Sequence, residues 1–556
     1  MPARRPPVRR IERWLWVTAS LCVSALVAGP LVRVVASVFE DSGGVWSHLA
    51  ETRLADYATG TASLAVLVCV GATVLAVPPA WLLARYRFPG AGVLSWAMLL
   101  PLAVPGYIAA YAYTDLCAAE GPLRRAIDGL GAADGMAWLV PDMRTLGGAA
   151  VVLASTLFPY VYFAARVAFR EQPASAIESG RLLGAGPLAT ALRVELPLAA
   201  PAIAAGLLLV LMETVADFGT ADYCAVDTLT TGVYRTWLGL GSEVGAAQLS
   251  TVLVVPLIGL FTLEAWLGRR RRSTDTTCRV MGDRRVSLGM PLGLCATAAC
   301  LAPLVLGFII PVVHLAVLSV NDNTDAGRSW LPTASWNTLR VASMAAAAAV
   351  VLSVVLVAAS RFATGRATSL SFMCSRFGYA VPGPVIAIGV IAAVSAVSGA
   401  LHAAGLPTLG SVFAVGSLVT LVVGYQTRFL GVALAYTRAA FERIDPRTDD
   451  AARTLGVGSL GLLARVDLPL ARRGLLVGFV VLFADVVKEL PITLMLRPFD
   501  FETLAVRAYK LASDERLGEA AGACLAMVGF GLVPAALLGA VLSHAASSQR
   551  IESPNR

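Results

Sequence analysis

Four acidic residues stand in stretches that are otherwise apolar, and their spacing is the first hint of chemistry. Glu213 and Asp217 are four apart, as are Asp485 and Glu489, and the two pairs align at a fixed offset of 272 residues. On a continuous helix, i,i+4 spacing puts both carboxylates on one face. Counted from Leu198, Glu213 lies about 22 Å along its helix. An acid at that depth in an apolar segment needs a partner or a wet cavity, and such groups are functional by default. Carboxylates of this kind offer hard oxygen ligands to a cation, and Tyr223 and Tyr234 could add phenolic oxygens. The competing reading pairs Glu489 with Lys488 or Arg507 and Asp217 with Arg235, so that each acid fixes a helix end. Arg428 is a further charge within an apolar stretch, placed to anchor a neighbouring acid or carbonyl.

Other chemistries find no support. The nine Cys are scattered, most of them in apolar stretches (Cys22, Cys69, Cys295, Cys300, Cys374, Cys524), and none forms a CxxC. The four His (His48, His314, His402, His544) lie far apart, without metal-ligand spacing. No catalytic residue and no firm metal ligand is assigned. A P-loop needs Gly, four residues, then Gly-Lys-Ser/Thr. Glu489 follows Lys488 and Leu511 follows Lys510, the two lysines of the chain, so neither can serve.

The elements that must position these acids are membrane helices. Of 556 residues, 57% are hydrophobic and 14% charged, against about 25% charged in a soluble domain. Mean hydropathy is +0.73. These values exclude disordered, collagenous and ordinary soluble enzyme classes and predict an all-α polytopic membrane protein. A span needs about 20 mostly apolar residues. On that criterion spans fall near 15–39, 60–84, 91–115, 147–170, 198–220 and 246–267, and again near 289–320, 337–360, 377–400, 411–437, 473–495 and 519–543. The first is too long for a signal peptide and is read as an uncleaved helix. The total is about twelve, six on each side of a basic linker at 269–287 that opens with four arginines.

The arginine bias sets orientation. Arg4, Arg5, Arg9, Arg10 and Arg13 precede the first span, and Arg85, Arg87, Arg361, Arg366, the linker and the stretches 171–197 and 438–472 fall on the same side. Fewer cations lie on the other side (Arg124, Arg125, Arg144, Arg328, Arg497, Arg507). Both termini are therefore expected in the cytoplasm. The net charge of +8 reads as attraction to anionic membrane lipid, not to nucleic acid.

An internal repeat organises the chain. Residues 178–198 (ESGRLLGAGPLATALRVELPL) and 450–470 (DAARTLGVGSLGLLARVDLPL) share ten identities in 21 positions at the same offset of 272. They include Gly184/Gly456, Leu196/Leu468 and Pro197/Pro469, while Glu178/Asp450 and Glu195/Asp467 are acid for acid. Gly206 and Arg235 recur as Gly478 and Arg507. Two homologous halves in parallel orientation are the consequence, 1–268 and 288–556. Locally, an acid opens a short helix at its positive end, a Gly permits the turn, a second short amphipathic segment comes next, and Leu-Pro starts the next span. The result is a helix–turn–helix protruding into the cytoplasm. The alternative is a loop lying on the lipid surface, which repetition in both halves disfavours. Pro101 and Pro105 in the third span, and Pro382 and Pro384 in the ninth, recur at matching places. They, with Pro78-Pro79, read mainly as packing kinks.

The repeated stretch resembles the EAA loop of ABC importer permeases. Glu178-Ser179-Gly180, Gly184 and Val194-Glu195-Leu196-Pro197 fit the pattern, as do Asp450-Ala451-Ala452, Gly456 and Val466-Asp467-Leu468-Pro469. Ser179-Gly180 and Asp450 depart from it in residue type but keep the spacing. The stretches 216–237 (ADFGTADYCAVDTLTTGVYRTW) and 484–517 (ADVVKELPITLMLRPFDFETLAVRAYKLASDERL) resemble iron(III) permeases with two fused halves. The resemblance implies a permease of the type I ABC importer kind in the bacterial inner membrane. Its loops, through Glu178, Gly184, Leu196, Pro197, Asp450, Gly456, Leu468 and Pro469, dock on two copies of a separate ABC ATPase. ATP and Mg belong to that ATPase, and this chain holds no cofactor. The longest outside stretch, about 116–146, is too short to capture substrate, which implies a separate periplasmic substrate-binding protein. Glu213, Asp217, Asp485, Glu489, Tyr223 and Tyr234 would then line the path of ferric ion. Alternatives are a fused permease for thiamine, a sulfate-like anion or phosphonate, and, ranked lower, an ion-coupled secondary transporter using the same acids. The last does not call for two EAA loops.

Overall fold

A computed structural model describes residues 10–129, 140–271, 285–321, 329–363 and 365–551. The arginines of residues 1–9, part of the stretch 116–146, most of the linker 269–287 and Arg328 lie outside the described residues. The described residues are mostly helical, with one parallel pairing of two-residue strands among them, Tyr86–Arg87 with Val286–Ser287.

Among the described residues, nine helices are long and apolar enough to cross a membrane. A tenth candidate is the pair Ala91–Ala103 and Gly106–Leu116, bent by 91°. The two other expected spans are helical as well, Glu243–Arg271 and Leu468–Val487. The second of these begins earlier than expected and carries Arg472, Arg473 and Asp485, which dilutes its apolar signal.

The third span is broken where the prolines predict strain. Pro105 has an extended backbone (φ −58°, ψ 141°) and caps Gly106–Leu116. Pro382 does the same (φ −57°, ψ 147°) for Gly383–Ala403. A Pro keeps φ near −65° and lacks an N–H, so it starts a helix well and cannot continue one. In the first half these prolines mark a break within the span and not a mild kink, and in the second Pro382 marks the start of an unbroken helix.

Two compact units emerge, and each draws on both halves of the sequence. One comprises Met1–Leu49, Gly232–Val255 and Ser329–Arg507. Within it, the first helix, Arg10–Ala36, packs on Leu331–Phe362, Arg366–Cys374, Gly383–Ala403 and Leu418–Glu442. The other comprises Ala50–Thr231, Pro256–Arg328 and Ala508–Arg556. Within that unit, Met290–Leu304 packs on Leu54–Arg85, and Ile310–Asn321 on Gly106–Leu116 and Leu517–Ile551. The repeat divides the chain one way and the packing divides it another, because the opening helix of each half lies against the central helices of the other.

The central helices pack alike in both units. A Cβ on Gly206 would come within 2.8 Å of the Val161 backbone, and one on Gly478 within 3.0 Å of Tyr436 Cβ. The repeated glycine thus lets the fifth helix of each half approach the fourth closely. Small residues serve this role in membranes, where no hydrophobic force brings helices together.

Candidate functional site

The repeated loop folds the same way twice. In the first half, helix Ala174–Leu182 ends, the chain turns at Gly184, and a short helix Pro187–Thr190 runs through a five-residue π turn, Ala191–Glu195, into Leu196–Ala216. In the second half the same series is Pro446–Thr454, Gly456, Ser459–Leu462, Leu463–Asp467 and Leu468–Val487. Gly184 and Gly456 both sit at φ +80°, the left-handed conformation that glycine adopts without strain. The amide of Ala185 donates to the Gly180 carbonyl (3.2 Å) and that of Val457 to Ala452 (3.2 Å). This i to i−5 bond closes a helix end of the Schellman type.

Leucines crown the turn. Leu182 and Leu183 are 87% and 88% exposed, and Leu455 and Leu460 are 83% and 64% exposed. Glu178, Asp450, Gly184, Gly456, Pro197 and Pro469 are exposed as well, and Leu196 and Leu468 are partly buried. Exposed apolar side chains bordered by acids on a short rigid element form a surface suited to another protein.

The base of each loop is held by buried charge. Glu195 is 3% exposed, and its Oε2 accepts from Arg85 Nε (2.7 Å) and Trp81 Nε1 (2.9 Å). Gln172 joins the cluster: its Nε2 donates to the Glu195 carbonyl (2.7 Å), and its Oε1 accepts from Arg85 Nη2 (2.6 Å). In the second half Asp467 is fully buried and lies 3.5 Å from Arg361, which also binds Asp449 at 2.6 Å. In the sequence Arg85 and Arg361 read only as orientation signals. The acid-for-acid repeat at 195 and 467 is the signal that marks their partners.

The intramembrane acids are placed differently from the sequence expectation. Helix Leu196–Ala216 ends before Asp217, whose backbone is extended (φ −68°, ψ 129°). Asp217 therefore does not continue the helical face of Glu213. Its carboxylate caps the short helix Gly219–Tyr223, accepting from the amides of Thr220 (2.9 Å) and Ala221 (3.0 Å) and from the Thr220 hydroxyl (3.1 Å). Glu489 repeats the arrangement. Leu468–Val487 ends before it, and its Oε1 accepts from the Ile492 amide (3.2 Å) at the start of Pro491–Leu496. Glu489 pairs with Arg428 at 3.5 Å, the anchoring role expected of that arginine. Asp485 pairs with Lys488 (3.5 Å), and Arg507 with Glu502 (3.2 Å). A carboxylate at a helix N-terminus meets orphan amides and a favourable dipole, which accounts for two of the four acids.

The tyrosines fall in different units, each in an aromatic setting. Tyr223 ends Gly219–Tyr223, stacks edge-on to Tyr111 (4.5 Å between centroids) and lies beneath the Arg144 guanidinium at 5.5 Å. Tyr234 is 6.3 Å from Trp237. Among the described residues, no group of three or more His, Cys, Asp or Glu is arranged to hold a metal ion.

Comparison with known proteins finds membrane transport permeases. Residues 66–273 match the family described as binding-protein-dependent transport system inner membrane component. The chain is 25% identical over 499 residues to an Fe(3+)-transport system permease protein of Haemophilus influenzae, covering 87% of this chain and 90% of that one. It is 27% identical over 200 residues to the molybdenum transport system permease protein of Escherichia coli, covering 35% of this chain and 84% of that one. A sulfate transport system permease protein of Salmonella typhimurium is 28% identical over 200 residues, covering 34% of this chain and 69% of that one. With its paired loops, apolar helices and repeated halves, the chain is similar over most of its length to the permease components of binding-protein-dependent ABC importers, and residues 66–273 carry the match to that family.

Proposed function

We propose that this permease carries ferric iron from a periplasmic binding protein to the cytoplasm, driven by two copies of a separate ABC ATPase. One observation carries the cargo assignment. The Fe(3+)-transport permease aligns with both halves, over 87% of the chain, whereas the molybdenum and sulfate permeases align with 34–35% of it. Loop geometry supports the drive. The exposed leucines beside Gly184 and Gly456 supply two equivalent docking elements, one for each ATPase copy. In this reading both loops and both termini face the cytoplasm. ATP and Mg are used by the ATPase, and this chain holds no cofactor of its own.

Of the acids, Glu213 and Asp485 are the better candidates for guiding a cation, since both lie on the fifth helix of their half whereas Asp217 and Glu489 lie beyond its end as helix caps; Asp485 would exchange its ion pair with Lys488 for the cargo. The test is uptake of radioactive Fe(III) in cells lacking other iron importers, with ATPase and binding protein held constant. Removing the chain should abolish uptake. Glu213→Gln/Asp485→Asn should lower uptake at least about ten-fold while the complex still assembles, as expected for lost charge at a cation path. Unchanged iron uptake without the chain sinks the assignment. The likeness to sulfate and molybdenum permeases makes an oxyanion the second reading, checked by labelled sulfate and molybdate in the same cells.

A further inference from the structure

The buried ion pairs at the base of the two loops have no part in docking, since Glu195 and Asp467 are buried and the leucines are exposed. They do link each loop to the helices behind it. Arg85 is the last residue of Leu54–Arg85, and Arg361 stands next to the end of Leu331–Phe362, the second helix of each half. Each arginine grips an acid on the last residue of the π turn, one position before the fifth helix begins. A π turn carries an extra residue within the helical ladder, a local widening often found at functional sites. Here it falls at the same repeat position in both halves and ends on the gripped acid. Gln172, just past the end of Leu146–Glu171, brings the fourth helix into the first cluster.

We infer that Arg85 and Arg361 are positioning residues that carry displacement of the docking loops into the second and fifth helices of each half. The inference rests on the loop-docking reading of the proposed function. Arg85 is fixed by hydrogen bonds to Glu195 and Gln172, and Arg361 by a hydrogen bond to Asp449 with a 3.5 Å ion pair to Asp467; in a low dielectric such links resist being pulled apart. A loop joined only by backbone could tilt without moving the helices behind it. With the clamp in place, a push on the loop moves both helices together.

The two clamps differ in strength. In the first half the position matching Asp449 is Ile177, a buried apolar residue. In the second half Arg361 grips both the docking helix, through Asp449, and the loop base, through Asp467. The N-terminal helix adds a third attachment there. Glu12 Oε2 accepts from the Ser459 hydroxyl (2.6 Å) and amide (3.3 Å), and Trp16 Nε1 donates to the same hydroxyl (3.1 Å). The first loop has Pro187 at this position, with neither hydroxyl nor amide hydrogen. The second loop is therefore the more tightly coupled.

The test uses the assembled complex of this chain with its ATPase and binding protein in proteoliposomes. Removing one partner of a buried pair leaves a charge stranded, so each cluster is neutralised as a whole. One variant is Arg85→Met/Glu195→Gln and the other Arg361→Met/Asp449→Asn/Asp467→Asn. The readout is cargo moved per ATP hydrolysed, which a purely structural defect leaves unchanged because it lowers both in proportion. The expected result is a fall in that ratio of at least five-fold for the first variant and more for the second, with ATP hydrolysis per complex retained. Photocrosslinking from positions 183 and 455 reports docking separately. If the unmodified chain fails to capture the ATPase from these positions, the docking reading falls and this inference with it. If both variants capture the ATPase and keep the parent ratio, or lose transport and hydrolysis in step, the clamps are only structural and the inference is overturned.

Discussion

At the residue scale, the acids show how one spacing can hold two meanings. Asp217 and Glu489 are each four residues after another acid, and the i,i+4 rule places such pairs together only while the helix lasts. It does not last. Pro491 comes two residues after Glu489, and a proline there disfavours helix at the residue before it and opens a new one. Asp217 is a preferred N-cap residue and precedes Gly219. Both signals are legible but lose to the repeat unless the stop signals are weighed first. The capping role makes a sharp prediction. Asp217→Asn keeps the acceptor that Thr220 and Ala221 use, so iron uptake and complex stability should stay within about two-fold of the parent. Asp217→Ala removes the cap and should destabilise by about 1 kcal/mol, read as a lower melting temperature of the purified complex. Uptake lost in Asp217→Asn with stability intact would return this acid to the cargo path.

At the scale of elements, the loop is the most legible part of the chain, because its turn is set by local chemistry repeated twice. Gly, acid, Leu-Pro and their intervals describe the helices that form. The clamps are less legible. An arginine at a helix end near the membrane reads first as a topology signal, and only the fold brings Arg85 to Glu195, 110 residues away, and Arg361 to Asp449, 88 away. The turn itself can be tested by separating backbone from side chain. A Cβ on Gly184 or Gly456 meets nothing within 4 Å, so any penalty there is conformational. Gly184→Asn, which tolerates positive φ, should retain most uptake. Gly184→Pro and Gly456→Pro cannot adopt φ +80° and should abolish uptake while the protein still inserts in the membrane at normal abundance. Normal uptake by both proline variants would show that the turn has no part in coupling.

At the scale of the whole molecule, sequence halves and packing units divide the chain along different lines, and polar contacts inside each unit join one half to the other. His314, from the opening helix of the second half, binds Asp115 of the first at 2.7 Å. Tyr509 donates to Asp222 at 2.6 Å, again second half to first. In the other unit Glu12 and Trp16, from the first half, hold Ser459 of the second. Polar groups at membrane depth are expensive without partners, and in lipid the packing of helix on helix is itself the stabilising term. Each half made alone would therefore carry central helices without the helix that packs on them, and acids without their donors. A chain cut between residues 278 and 279 checks this. Residues 1–278 or 279–556 expressed singly should be degraded to less than about a tenth of the abundance of the intact chain, since exposed, unpaired segments are what quality control removes. Expressed together they should copurify and restore iron uptake, because these contacts between the halves are non-covalent and each lies within a unit. A single half that accumulates at full abundance would mean that it packs on itself, and that the exchange of opening helices contributes nothing to stability.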